Sequence, residues 1–374
     1  MTISKNKYPP KSLLVCIAGT NLTNEEKLRL KHPLVNGVIL FSRNFKNSYQ
    51  LKELVDSIKS VSETPLLVAV DNEGGRVQRF KSDGFTHLPA MAELYRYFAS
   101  LTNAQRSERV KQSDPKTSYD QPSTKCLEAV NDIGYLMAFE CLSHGIDLSF
   151  APVMDIDQGS DVIGDRAFHE SPDIAAKLIN AFCTGMRMAG MPTVGKHFPG
   201  HGSTKEDSHF HTPVDTREWT EIKDNDLKVF ETLLSKTIID GIMPAHIIFD
   251  QIDKEPVGYS KFWLQKVLKE DLKFKGIIFS DDLAMVGAGV STKNPLSYIE
   301  RYEKAIEAGC DIALLCNKPD DVDLLLSQIK PSDVSQIMNN SGFKFDSQTN
   351  NVIYRDKLDA AKDVIKKINE WKSA

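Results

Sequence analysis

The sequence has six cysteines, at positions 16, 126, 141, 183, 310 and 316, and none of them stands in a Cys-x-x-Cys pair. Most fall inside apolar segments, so disulfide cross-links are not expected, and Cys316 reads as small core filler rather than as a reactive thiol. A strong charge of either sign is missing too: 46 Lys and Arg stand against 51 Asp and Glu, for a net charge of −5, and the basic residues are dispersed. That balance excludes phosphate backbones and anionic lipid surfaces as natural partners, leaving no nucleic-acid and no membrane partner. The amino-terminal residues 1–11 are polar and carry two prolines, and the first apolar run, 13–18, is too short for a signal-peptide core or a membrane span. A cytoplasmic protein is the expectation. What the sequence does have is ordinary globular material: 41% hydrophobic and 26% charged residues, enough to bury a sizeable core.

Short apolar runs recur at 13–18, 37–41, 66–70, 146–151, 191–195, 241–245, 276–279 and 311–315. Most are continuously apolar rather than alternating, as parallel strands covered on both faces must be. Helical punctuation lies between them. Thr23 and Glu26 have capping-box spacing; Leu51, Leu54, Val55 and Ile58 form one stripe, and Leu264, Val267, Leu268 and Leu272 another. Eight strand–helix repeats predict a single (β/α)8 TIM barrel domain over residues 1–374, with an open doubly wound sheet as the alternative. A polar excursion at 105–125 is expected between two helices, and a second polar interval, 339–351, before a final helix at about 355–372. One face of that helix carries Leu358, Ala361, Val364, Ile365, Ile368 and Trp371; it is expected to close off the barrel.

The densest chemistry lies between Lys196 and His211, where four of the nine histidines share a glycine-rich stretch with Lys and Asp. In a barrel the reactive groups sit where strands end. Those ends carry Asp71, Asp155 and Asp157, Lys196 and His197, His246, and Asp281 and Asp282. Polar and ionisable groups from five strands therefore converge on one mouth. Several of these residues also have a structural reading: Asp155, Asp157 and Asp282 as helix N-caps, Arg76 and Arg79 as a solvated helix face, His246 and His169 as satisfied structural histidines. A metal site built on His197, His201, Asp207, His209 and His211 is a further alternative, weakened by the absence of helical His-x-x-x-His spacing. A carbohydrate hydrolase accounts for more residues at once, with a carboxylate nucleophile, a proton donor and charged groups for hydroxyls.

The motifs Asp71-Asn-Glu-Gly-Gly-Arg-Val-Gln-Arg79, Ile163-Gly-Asp-Arg166-Ala-Phe, Lys196-His-Phe-Pro-Gly-His-Gly202, Asp207-Ser-His209 and Phe279-Ser-Asp281-Asp-Leu resemble glycoside hydrolase family 3. Within it they are most similar to the single-domain bacterial β-N-acetylhexosaminidases, in order along residues 13–316. The resemblance implies a (β/α)8 barrel that removes a terminal non-reducing β-linked N-acetylglucosamine with retention. It makes Asp281 the nucleophile, His209 the general acid and base, and Asp207 its partner; Asp71, Arg79, Arg166, Lys196 and His197 hold the sugar. It implies no cofactor and no metal, and a saccharide or muropeptide substrate from cell-wall recycling. The protein is expected to be a monomer or weak homodimer.

The residues agree with those roles: Lys196 and Arg166 beside Asp281 would keep it ionised, and an imidazole on a mobile loop suits a group that must switch protonation within each turnover. A glycoside phosphorylase on the same site, a metal-dependent hydrolase and a sugar-binding protein without turnover are the competing readings.

Overall fold

The computed structural model describes residues 8–107, 121–204, 213–289, 295–334 and 353–373. Eight strands form one parallel sheet: β1 (Leu13–Val15), β2 (Val35–Leu40), β3 (Leu67–Val70), β4 (Leu148–Ser149), β5 (Val194–Phe198), β6 (Gly241–Pro244), β7 (Ile277–Asp282) and β8 (Ile312–Leu315). Consecutive strands pair from β1 to β4 and from β5 to β8, and β8 pairs with β1. The remaining seam, between β4 and β5, is drawn together by the Val153–Lys196 bridge and by bonds from the Val194 N–H to the Ala151 carbonyl (2.8 Å) and from the Lys196 N–H to the Pro152 carbonyl (3.1 Å). The result is a nearly closed (β/α)8 barrel.

The strands are apolar along most of their length because both faces are covered, with ionisable exceptions such as Lys196, His197, Asp281 and Asp282 toward their ends. Leu14, Cys16, Ile39, Leu67, Ala69, Leu148, Phe150, Val194, Met243, Phe279 and Leu314 fill the barrel interior as one cluster. Their strand neighbours Leu13, Val15, Val38, Leu40, Val68, Val70, Ile278 and Leu315 belong to the outer cluster, beneath the helices. This in–out alternation within continuous apolar runs is what two-sided burial of a parallel strand requires.

The outer ring comprises α1 (Asn24–Leu30), α2 (Ser48–Lys59), α3 (Met91–Ser107), α4 (Thr124–Ser143), α5 (Pro172–Met188), α6 (Trp219–Asp224), α7 (Asp226–Leu234), α8 (Tyr298–Ala308), α9 (Pro319–Gln328) and α10 (Arg355–Ser373). Thr23 and Glu26 form the expected capping box on α1, and Leu51, Leu54, Val55 and Ile58 are the buried face of α2. Leu264, Val267 and Leu268 are buried as expected, but their segment, Phe262–Asp271, is π-helical, and the Leu272 N–H reaches the Val267 carbonyl five residues back at 2.9 Å. The final helix buries Ala361, Ile365 and Ile368 and packs against α4 and α3. Trp371 meets Tyr97 of α3 edge-on, and Lys357 pairs with Asp132 of α4 at 2.6 Å. Most of the 105–125 excursion and all of 339–351 fall outside the described residues.

Candidate active site

The mouth of the barrel is organised around Lys196, inside β5 and nearly fully buried. Its ammonium lies 3.0 Å from Asp71 Oδ1 and 2.5 Å from Glu73 Oε1. Asp71 follows β3 directly, while Glu73 sits on a short antiparallel hairpin, Asn72–Gly74 against Val77–Gln78. The hairpin also places Arg79, whose Nη2 donates to Asp71 Oδ2 at 2.9 Å. Arg166, carried by a 3-10 turn at Gly164–Arg166, closes the network with a bidentate pair to Glu73, at 2.8 and 2.9 Å. Two carboxylates and three cations thus share one nearly dry cluster.

Burial alone would push both carboxyls up. The Lys196 and Arg79 charges outweigh it at Asp71 and hold that group well below the usual carboxylate range; Arg166 and Lys196 do the same at Glu73 and bring it down to about 2. Burial likewise opposes the charge on Lys196, but Asp71 and Glu73 overcome it and raise the ammonium's pKa. The group stays a fixed cation.

A second assembly sits beside it. Asp155 accepts from the His197 Nδ1–H at 2.7 Å, from the His197 backbone N–H at 3.2 Å, and from the His201 backbone N–H at 2.8 Å. Asp155 is therefore no helix N-cap: it orients the ring of His197 and fixes the chain that follows. Burial works against its charge, and the two histidines reverse the balance and lower its pKa. His201 is pushed down to about 4 by burial and by His197, so it is neutral at physiological pH, with Nδ1 3.1 Å from the Thr204 hydroxyl.

Asp281 lies near the end of β7, half-buried, with Oδ1 accepting the Asp282 N–H at 2.8 Å. Its charge is felt at His201 and at His246, which is completely buried and whose pKa burial lowers. The cations expected beside Asp281 are engaged elsewhere: Lys196 and Arg166 pair with Asp71 and Glu73. The reason is the hairpin, which brings Glu73 between them.

The other residues with two readings divide as follows. Asp282 accepts from the Ala284 and Cys316 N–H groups, and Asp157 from the Gly159 N–H, so both brace turns rather than cap helices. Arg76 and Arg79 lie on the hairpin and not on a helix: Arg76 is exposed and within 3.5 Å of Asp165. His169 accepts the Ser171 N–H at 2.8 Å and stacks edge-on against Tyr95, a structural role.

Residues 11–341 match the description "Glycosyl hydrolase family 3 N terminal domain". The chain belongs to glycosyl hydrolase family 3. The beta-hexosaminidases of Methylobacillus flagellatus and Idiomarina loihiensis are similar to it at 45% and 47% identity. Those alignments cover 85% and 82% of this chain, and 84% and 83% of theirs. The structure of native NagZ from Neisseria gonorrhoeae superposes with a TM-score of 0.78 at 37% identity, covering 97% of this chain and 99% of that one. This family-3 chain is a glycoside hydrolase, a β-N-acetylhexosaminidase.

Asp207, His209 and His211 lie outside the described residues. On either side of them the family-3 chain is joined by Arg217, whose Nη2 reaches Asp215 Oδ2 at 2.7 Å and Ser203 Oγ at 2.9 Å while Nη1 reaches Asp226 Oδ2 at 2.8 Å. Burial pushes Asp226 up to about 6 in spite of Arg217. Sequence reasoning had no signal for this clamp, for Glu73 as a partner of Lys196, or for Asp155 as the holder of His197. Among the described residues no group of three or more His, Cys, Asp or Glu side chains is arranged to hold a metal ion, and no helix is long and apolar enough to cross a membrane.

Proposed function

We propose that this hexosaminidase is a retaining exo-β-N-acetylglucosaminidase of one catalytic domain, working as a monomer or weak homodimer in the cytoplasm on 1,6-anhydro-muropeptides from peptidoglycan recycling. Asp281 attacks the anomeric carbon, and the bond to the leaving oxygen breaks as His209, oriented by Asp207, donates a proton to that oxygen. Water then takes the sugar from the glycosyl-Asp281 ester, with His209 accepting the water's proton. Asp71, Arg79, Arg166, Lys196 and His197 hold the terminal sugar: the buried ion-pair cluster presents fixed charges to its hydroxyls, and Asp155 keeps the His197 ring in one orientation.

The observation that carries the reading is the position of Asp281. It stands half-buried near the end of β7, on the same mouth as a cluster whose cations are already matched by Asp71 and Glu73. Its place at a strand end on the mouth supports it as the carboxylate that meets the substrate carbon. The N-acetylglucosamine preference has indirect support, since gonococcal NagZ has been crystallised in complex with N-trifluoroacetyl-D-glucosamine. The test is cleavage of an aryl N-acetyl-β-glucosaminide followed by NMR of the anomer first released. The expected product is the β-anomer, and Asp281→Ala, still folded by circular dichroism, should lose activity by at least about a thousandfold. An α-anomer as first product, or an active Asp281→Ala enzyme, overturns the mechanism.

A further inference from the structure

Phe41 follows β2 at the barrel mouth, half-buried, and two guanidinium groups lie against its ring. Arg79 stands 5.4 Å from the ring centroid and Arg43 4.5 Å. The two cations are not equivalent. Arg79 is neutralised by Asp71 at 2.9 Å and belongs to the buried cluster. Arg43 is exposed, and its head group is held by neutral acceptors: Nε donates to the Ile17 carbonyl at 3.2 Å, and Nη1 to Asn317 Oδ1 at 2.7 Å. Among the described residues Arg43 has no carboxylate partner, and its Nη2 has no acceptor.

The loop that carries Arg43 is itself anchored. The Asn44 amide donates to the Ile17 and Gly19 carbonyls at 3.2 and 2.8 Å, and its Oδ1 accepts the Phe41 N–H at 2.8 Å. Asn317, the partner of Nη1, follows Cys316, whose N–H is bound by Asp282 at 2.9 Å, next in sequence to Asp281. Three loops, after β1, β2 and β8, thus aim one unneutralised guanidinium along the rim, one aromatic ring outward from the Arg79–Asp71 pair. A flat ring beneath a guanidinium fixes its plane and weakens its hydration, which suits a fork-like contact with a carboxylate.

An exo-acting pocket takes the terminal sugar inward and leaves the rest of the substrate at the rim, so a group placed outside Arg79 meets only the leaving portion. We propose that Arg43, seated on Phe41, is a specificity determinant of the leaving-group side: it binds a carboxylate carried by the part of the substrate that departs. This rests on the exo-acting reading above, and the test separates the two.

The probes are three aryl N-acetyl-β-glucosaminides: a neutral phenyl, a phenyl bearing a carboxylate on the ring, and one bearing the carboxylate at the end of a glycine amide. For the wild type and for Arg43→Ala, kcat/KM is measured on each, and the ratio of anionic to neutral substrate is compared. The expected result is that the substitution lowers this ratio about tenfold for one of the two anionic probes, the responding probe showing how far the carboxylate sits from the scissile bond. Arg43→Lys should restore part of the ratio, and added salt should shrink it in the wild type by screening an exposed contact. A ratio unchanged by Arg43→Ala overturns the proposal even where all three rates fall together, because such a uniform loss marks a structural role. Failure of the wild type to cleave the neutral probe would instead overturn the exo-glycosidase reading.

Discussion

A lysine buried between two carboxylates is a balance of three groups, and removing one leaves the other two in conflict. With Lys196 Nζ at 3.0 Å from Asp71 and 2.5 Å from Glu73, Lys196→Met would leave two carboxylates facing one another without their shared cation. Breaking a buried network of this kind costs about 3–5 kcal/mol. The loss has a direction in pH. Without the ammonium the carboxyl pKa values of the folded state rise from their depressed positions while Arg79 and Arg166 still oppose burial, so the stability that these groups contribute above their unfolded pKa values shrinks. Urea unfolding should therefore show a larger deficit at pH 7 than at pH 3, where the wild type has itself lost part of that contribution, and an equal deficit at both would contradict the account. At this scale the sequence was legible wherever a strand end placed the residue, as it did for Asp71, Lys196, His197 and Asp281. It was not legible where a partner comes from far along the chain: Arg166 reaches Glu73 across 93 positions through a loop and a hairpin. No local spacing encodes that distance.

Elements were legible through their burial pattern and much less through their contacts. The apolar runs marked all eight strands, because a parallel strand covered on both faces must be apolar along its length. The run at 191–195 nevertheless stopped short of β5, which extends to Phe198 because Lys196 and His197 are buried polar members of the ladder. Helix packing left even less trace. A Cβ on Gly185 of α5 would stand 1.9 Å from the Asn131 carbonyl of α4, and one on Gly134 of α4 would stand 2.3 Å from the Phe182 carbonyl of α5. The two backbones approach closely through a reciprocal pair of glycines, in neither case because of a positive φ. Gly185→Ala should push α5 off α4 and cost about 1–3 kcal/mol of stability, read from the denaturation midpoint. Since both helices belong to the outer ring, kcat of the folded fraction should stay within about twofold of wild type; a selective loss of turnover with unchanged stability would refute this.

For the molecule as a whole, the barrel interior is filled by one apolar cluster, and the carboxyls of the mouth and of the Arg217 clamp are shifted from their ordinary ionisation. Asp71, Glu73, Asp155 and Asp215 all have lowered pKa values, each because cationic or hydrogen-bonding neighbours overcome burial, whereas Asp226 is raised by burial to about 6. A carboxyl that is depressed in the folded state contributes stability in full above its unfolded pKa, near 3.8 for Asp and 4.5 for Glu, and loses it as pH falls toward the folded value. Asp226 acts in the opposite sense, and its contribution declines as pH rises from 3.8 to about 6. His201, lowered from 6.5 to about 4, and His246, also lowered, lose their contribution as pH falls below 6.5, so the expected unfolding free energy begins to decline there, partly offset by Asp226, and falls further below about pH 4.5, continuing toward pH 2. Glu73→Gln removes one of the groups responsible for the fall. Although that variant starts from a lower stability at pH 7, its curve should descend less steeply between pH 4.5 and 2.5. An identical slope in both proteins would place acid sensitivity outside the mouth of the barrel.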